Sequence, residues 1–175
     1  LGNDQPRYQF GLDLNASWKG FDLRVFFQGV GKRDFWPGYV AFWASSNQNI
    51  WYMLGFEEHL DYFRNTPSGN LDVNLDSYYP RPLLNAKNQY MQTKYLQDAS
   101  YIRLKNITFG YTIPQKYTQR FKVANLRLFF TGENLWTGTK LSSVFDPEGI
   151  NGNDKISGIG YPIMKTWACG LTITL

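Results

Sequence analysis

Only one cysteine, Cys169, and one histidine, His59, occur in the 175 residues of this chain. An internal disulfide therefore has no second partner, and a Cys/His metal site has too few ligands. No stretch approaches the roughly 18 consecutive apolar residues of a transmembrane helix, which excludes a helical membrane protein and leaves a β-barrel open. The opening residues, Leu1-Gly2-Asn3-Asp4-Gln5-Pro6, lack the charged segment and apolar core of a signal peptide. On that reading the chain is either cytoplasmic or lacks its N-terminus. His59 stands beside Glu57, Glu58 and Asp61, but no nucleophile or second histidine lies at a readable spacing. No enzymatic activity, cofactor or metal is expected, and His59 reads as a solvated loop residue.

Aromatic residues, by contrast, are abundant: 12 Tyr, 13 Phe and 6 Trp. Mean hydropathy nevertheless stays negative, at -0.41. A polar average with many large rings fits strands that alternate apolar and polar residues, as barrel walls do, and also fits a soluble carbohydrate-binding β-sandwich. The net charge of +4 comes from scattered basic residues, many close to aromatics in strand-like segments. Nucleic acid is therefore not expected as a partner.

Along the chain, Tyr8–Trp18 alternates strictly, with apolar or aromatic residues at even positions and polar residues or Gly at odd ones. Eleven residues are also about what a tilted strand needs to cross a bilayer. Lys19-Gly20 is a hairpin connection, and the second strand, Phe21–Gly29, sets Phe21, Leu23, Val25 and Phe27 against Asp22, Arg24 and Gln28. From about Lys32 to Gln97 the alternation dissolves, with room for short helical or strand pieces and a helical turn within 54–64. A third strand, about 100–113, changes phase near Asn106, which predicts a β-bulge, and Pro114 stops its ladder. A fourth, about 125–136, sets Leu126, Leu128 and Phe130 against Arg127, Thr131 and Glu133. After a turn-rich loop, a fifth alternates from Thr166 to Leu175. The connections run short, long, short, long, as in outer-membrane barrels with short periplasmic turns and long outer loops. Five strands cannot close such a barrel, so further strands are expected.

Several segments carry a family resemblance. Ser17-Trp18-Lys19-Gly20-Phe21-Asp22-Leu23 with Phe26-Phe27-Gln28-Gly29, Tyr79-Pro80-Arg81-Pro82, and above all Tyr95 through Pro114 (YLQDASYIRLKNITFGYTIP) are similar to late barrel segments of SusC/RagA-type TonB-dependent transporters. Gly132-Glu133-Asn134-Leu135, Phe145-Asp146-Pro147-Glu148 and Gly170-Leu171-Thr172-Ile173-Thr174-Leu175 follow in family order. One departure is the final Leu175, where such strands usually finish on an aromatic. The resemblance implies an all-β fold: about five C-terminal strands of a larger, 22-stranded antiparallel transmembrane barrel. Residues 1–175 would be part of that barrel, with 32–97 and 137–163 as extracellular loops and the plug domain absent. It implies outer-membrane import of glycans, oligosaccharides or peptides, a SusD-like lipoprotein lid and energy from TonB; the order of connections, with the long ones outside, would leave the C-terminus in the periplasm. The alternatives are a soluble or surface glycan-binding β-sandwich, or a transporter-like barrel recruited as a structural subunit of an outer-membrane complex.

Two groups of candidate residues follow. Trp36, Tyr39, Trp43, Trp51 and Tyr52, with Phe42 beside them, form an aromatic cluster suited to sugar stacking or lid docking, or else to loop packing and an interfacial girdle. Asp22, Arg24, Arg103, Lys105, Arg127 and Glu133 are read as lumen-facing, where they contact substrate or satisfy one another in cross-strand pairs. Asp146-Pro147-Glu148 offers carboxylates, but its spacing lacks a calcium-loop pattern, so Asp146 is read as a turn cap. Cys169 is expected on the apolar face of the last strand.

Overall fold

The computed structural model describes residues 2–38, 40–43, 55–83, 86–151 and 160–175. Two units form: one takes in 5–33, 98–140 and 161–175, the other 1–4, 34–97 and 141–160. The first is one antiparallel sheet of five strands in the order β1-β2-β5-β6-β7. These are β1 (Tyr8–Trp18), β2 (Phe21–Gly31), β5 (Tyr101–Thr112), β6 (Asn125–Thr139) and β7 (Thr166–Thr174). The short β3 (Asp34–Phe35) and β4 (Gln97–Asp98) pair as a second, two-stranded sheet.

The hairpin between β1 and β2 turns on Lys19 and Gly20, both at positive φ (47° and 89°), as the tight turns favoured by twisted hairpins require. Its register places Trp18 opposite Phe21, Leu14 opposite Val25 and Leu12 opposite Phe27. Leu23 then meets Phe109, Phe109 meets Phe130, and Phe130 meets Cys169. One face is thus apolar across all five strands, and its rings and aliphatic chains are open: Trp18 is 68% exposed, Leu12 49% and Trp167 57%. A sandwich would cover that face with a second large sheet, and none exists among the described residues.

The expected bulge is present, with the register shifting between Leu104 and Asn106 so that Lys105 is the inserted residue. Without it, Ile107 and Phe109 would fall on the face opposite Ile102 and Leu104. Strand β6 answers with two residues outside the pairing, Asn134 and Leu135, of which Asn134 has φ 54°. Beyond them Trp136 and Gly138 rejoin the apolar face. For that reason β6 runs on to Thr139, and the second long connection begins at Lys140, not at 137. β5 ends at Thr112, and Pro114 leads into the single-turn helix α2 (Gln115–Thr118).

The stretch between β2 and β5 is not structureless. Short helical pieces, α1 (Val40–Trp43) and turns at Glu57–Leu60 and Thr93–Tyr95, alternate with bridges pairing Tyr62 with Tyr79 and Arg64 with Asn74. Together with 141–151 they enclose an aromatic core in which Phe42 is fully buried and Phe35, Trp43, Tyr79, Tyr95, Phe145 and Ile150 nearly so. Period-two patterning is absent here because ring-on-ring packing, and not a sheet ladder, supplies the burial.

Close approach at Gly29 yields a direct test. A Cβ there would run into the Phe10 ring and come within 2.7 Å of Tyr101 O, whereas at Gly31 the nearest atoms are 3.6 Å away. Gly29→Ala is expected to destabilise the sheet by about 1–3 kcal/mol, the usual range for overpacking. Gly31→Ala is expected to be near neutral, and denaturant unfolding midpoints of the two variants check the contrast.

Candidate functional site

Two arrangements carry the candidate chemistry: the polar face of the five-stranded sheet and the aromatic core of the loop unit. On the sheet, alternation sends Asp13, Arg24, Asp22, Arg127, Thr131 and Glu133 to the face opposite the apolar one. Arg24 reaches Asp13 with Nε at 3.1 Å and Nη2 at 2.6 Å. Arg127 on β6 donates from Nε to Asp22 on β2 at 2.9 Å, although β5 lies between the two strands. Gly110 of β5 allows that crossing, since a Cβ there would sit 2.5 Å from Arg127 Nη2 and from Asp22 Oδ1.

Farther along, Thr108, Asn106 and Thr131 form a hydroxyl–amide cluster with Thr108 Oγ1 and Thr131 Oγ1 2.9 Å apart. Arg103 is buried and donates from Nε to Thr137 Oγ1 at 2.8 Å. Glu133 is exposed, opposite Asn106 and Thr166, and Lys105 occupies the bulge. Of the six residues read as lumen-facing, Asp22, Arg24, Arg103, Arg127 and Glu133 share the polar face. Asp22, Arg24 and Arg127 are engaged in cross-strand ion pairs there. The face is polar but largely self-satisfied, its charges, hydroxyls and amides paired with one another across the strands.

In the loop unit, Trp43 is buried, its indole Nε1 donating to Pro37 O at 2.8 Å, and Trp36 packs against it at 5.7 Å. Trp36 remains half-exposed. Tyr39, Trp51 and Tyr52 lie outside the described residues. Phe42 sits at the centre, in ring contact with Trp43, Tyr78, Tyr79, Tyr95 and Phe145.

His59 corrects its sequence reading, being buried and not solvated. Its Nδ1 accepts from the Phe56 backbone N–H at 3.0 Å, so Nε2 carries the proton and donates to Phe42 O at 3.0 Å. A neutral imidazole bonded at both nitrogens to backbone serves as a strut. Asp146 caps its turn as expected, accepting from the Glu148 N–H at 2.9 Å with Pro147 following.

Sequence reasoning did not find Glu58, the polar centre of this unit. Its carboxylate accepts from Tyr79 Oη at 3.1 Å, Ser142 Oγ at 2.8 Å, the Ser143 N–H at 3.2 Å and Ser143 Oγ. It thereby ties the first long connection to the second. Burial raises its pKa, but the hydrogen bonds from Ser143, Ser142 and Tyr79 outweigh that and hold the carboxyl below its ordinary value. Burial first, and then the neighbouring Glu58 charge, push the Tyr79 hydroxyl well above the usual tyrosine range. The only sequence signal was aromatic density around Tyr79 and Phe145, since Glu58 and Ser143 stand 85 residues apart.

No family model matches the chain. Two curated relatives, both from Formosa agariphila, do. TonB-dependent receptor P3 is 26% identical over 197 residues and TonB-dependent receptor P26 is 28% identical over 186, each alignment covering 99% of this chain and 17% of the relative. Among solved structures, the RagAB peptide importer matches in its open-open state with a TM-score of 0.68 at 20% identity, covering 99% of this chain and 18% of that one. Its closed-closed state matches with the same TM-score at 19% identity and 98% coverage. The chain therefore spans less than a fifth of the length of the proteins it matches. The resemblance to TonB-dependent transporters read from the sequence is borne out over essentially all of its residues.

The Glu58 bonds make the loop unit acid-sensitive. A carboxyl whose folded pKa is depressed contributes stability that is complete above its unfolded value, near ~4.3, and is lost as pH falls through the folded value. Limited proteolysis of the loop unit is expected to accelerate between pH 6 and pH ~3 in the wild type, while Glu58→Gln shows raised susceptibility already at pH 6. Phe42→Ala is expected to cost the unit about 3–5 kcal/mol, read by the same digestion.

Proposed function

We propose that the complete protein is an outer-membrane nutrient importer, on the strength of a fold shared with a peptide importer and of relatives named TonB-dependent receptors along 99% of the chain. Residues 1–175 supply a part of its 22-stranded wall and two loops on the outer side. What carries this reading is the segregation of the sheet: an apolar face open across five strands, backed by a face of paired charges, hydroxyls and amides. Such a sheet suits lipid on one side and a wet lumen on the other. Asp22, Arg24, Arg103, Arg127 and Glu133 then border the permeation path, and Lys105, at the bulge, remains a candidate on sequence grounds. With long connections outside, β7 runs toward the periplasm.

The cargo is a peptide, an oligosaccharide or another glycan. Peptides are first to test, because solved structures of a peptide importer share this fold. A SusD-like lipoprotein lid would sit over the outer loops, and TonB would act through parts of the protein beyond this chain. Trp36, half-exposed beside the buried Trp43, offers a ring edge to lid or substrate, and Tyr39, Trp51 and Tyr52 remain candidates on sequence grounds. No role as a catalyst is assigned.

The test is uptake of labelled oligopeptides and oligosaccharides by cells whose sole outer-membrane importer is the full receptor with its lipoprotein. Uptake of one class is expected to fall to background when the receptor is deleted and when the proton gradient is collapsed. Uptake unchanged by both would contradict the proposal.

A further inference from the structure

The two units differ sharply in charge. In the loop unit ten carboxylates face five Lys and Arg, a net of −5, while in the sheet unit four carboxylates face thirteen, a net of +9. Part of that excess gathers at the end of the sheet carrying the short connections. The β1–β2 turn brings Lys19, and the β5–β6 connection brings Lys116, Arg120 and Lys122, all exposed. Backbone bonds hold these pieces together: the Thr112 N–H donates to Gly20 O and the Ala124 N–H to Thr174 O, both at 2.8 Å. Among the described residues no carboxylate pairs with any of the four cations, and the one acid nearby, Asp22, is bound to Arg127.

Rings stand among these charges. Trp18, Tyr117 and Phe121 are 68, 64 and 79% exposed. Lys19 Nζ lies 4.8 Å from the centroid of the Trp18 ring. Phe121 is carried by a connection that has no place in the sheet ladder, so strand alternation gives no reason for its exposure. Exposed rings, of which Trp18 and Tyr117 are amphipathic, beside cations with no carboxylate partner at the rim of an apolar face are what an interface between hydrocarbon and headgroups selects.

We propose that this end is a docking surface for anionic phospholipid headgroups, whose phosphates pair with Lys19, Lys116, Arg120 and Lys122 while Trp18, Tyr117 and Phe121 enter the headgroup layer. The proposal rests on the membrane reading above and adds a lipid preference to it. It also gives the short connections a task beyond joining strands: they hold the barrel at a fixed depth against the inner leaflet.

Lipid retention by the full receptor is the test. The receptor is placed in nanodiscs of equimolar phosphatidylethanolamine and phosphatidylglycerol, and the lipids that stay bound on release are counted by native mass spectrometry. Wild type is expected to retain phosphatidylglycerol in at least about fivefold excess, the factor one cation contributes near an anionic surface. The combined variant Lys19→Gln, Lys116→Gln, Arg120→Gln, Lys122→Gln is expected to fall to near parity, while Lys140→Gln with Lys165→Gln keeps the excess. Parity in an inserted wild type, or an undiminished excess in the fourfold variant, overturns the lipid proposal alone. A wild type that enters no bilayer and stays in solution overturns the membrane reading and the proposal with it.

Discussion

The structure depends on keeping one side of every strand apolar while the backbone pairing continues from β1 to β7 through the register shifts in β5 and β6. A slip of one residue in any pairing would exchange the faces of everything beyond it. The point most vulnerable to such a slip is β5, whose sequence changes parity midway: Ile102 and Leu104 are even, Ile107 and Phe109 odd. Lys105, standing outside the register, absorbs the change. Asn134 and Leu135 repeat the adjustment on β6. A lysine is well suited to the extra position, because its long chain can reach away from the apolar face whatever the local twist.

On the polar face, charges are held in pairs across the strands. Arg127 and Asp22 reach across a whole strand above Gly110, so three strands are joined by one contact between side chains 105 positions apart. Such a contact fixes how the strands splay and coil as well as neutralising two charges. The loop unit solves a different problem. Its long connections bury rings against rings around Phe42, and the polar groups caught in that packing converge on Glu58 and His59, each with its bonding capacity used.

What the sequence disclosed follows from range. β1 and β2 were legible because a period of two residues and a two-residue turn are local, and their bounds differ from the reading only where β2 continues to Gly31. The bulge was legible as a parity change and fell one residue from its expected place. Five of the six charged candidates lie on the face that alternation assigned to them. In the loop unit the short pieces were legible, among them the helical turn expected within 54–64 and found at Glu57–Leu60, but their packing was not, since it comes from pairs such as Phe42 with Phe145 and Glu58 with Ser143, which no local pattern encodes. His59 was misread for the same reason: its partners, Phe56 and Phe42, are backbone atoms, invisible in a side-chain pattern.

The central claim is that the apolar face meets lipid and the opposite face meets water. Cys169 lies on the first, opposite Phe130, and Ala168 lies on the second, opposite Thr131. A fluorophore at each position in turn, in the full receptor with no other cysteine and in vesicles containing brominated lipid, reads the two environments directly. The account predicts strong quenching at Cys169 and little at Ala168→Cys. Equal quenching at both positions, or the reverse order, would contradict it.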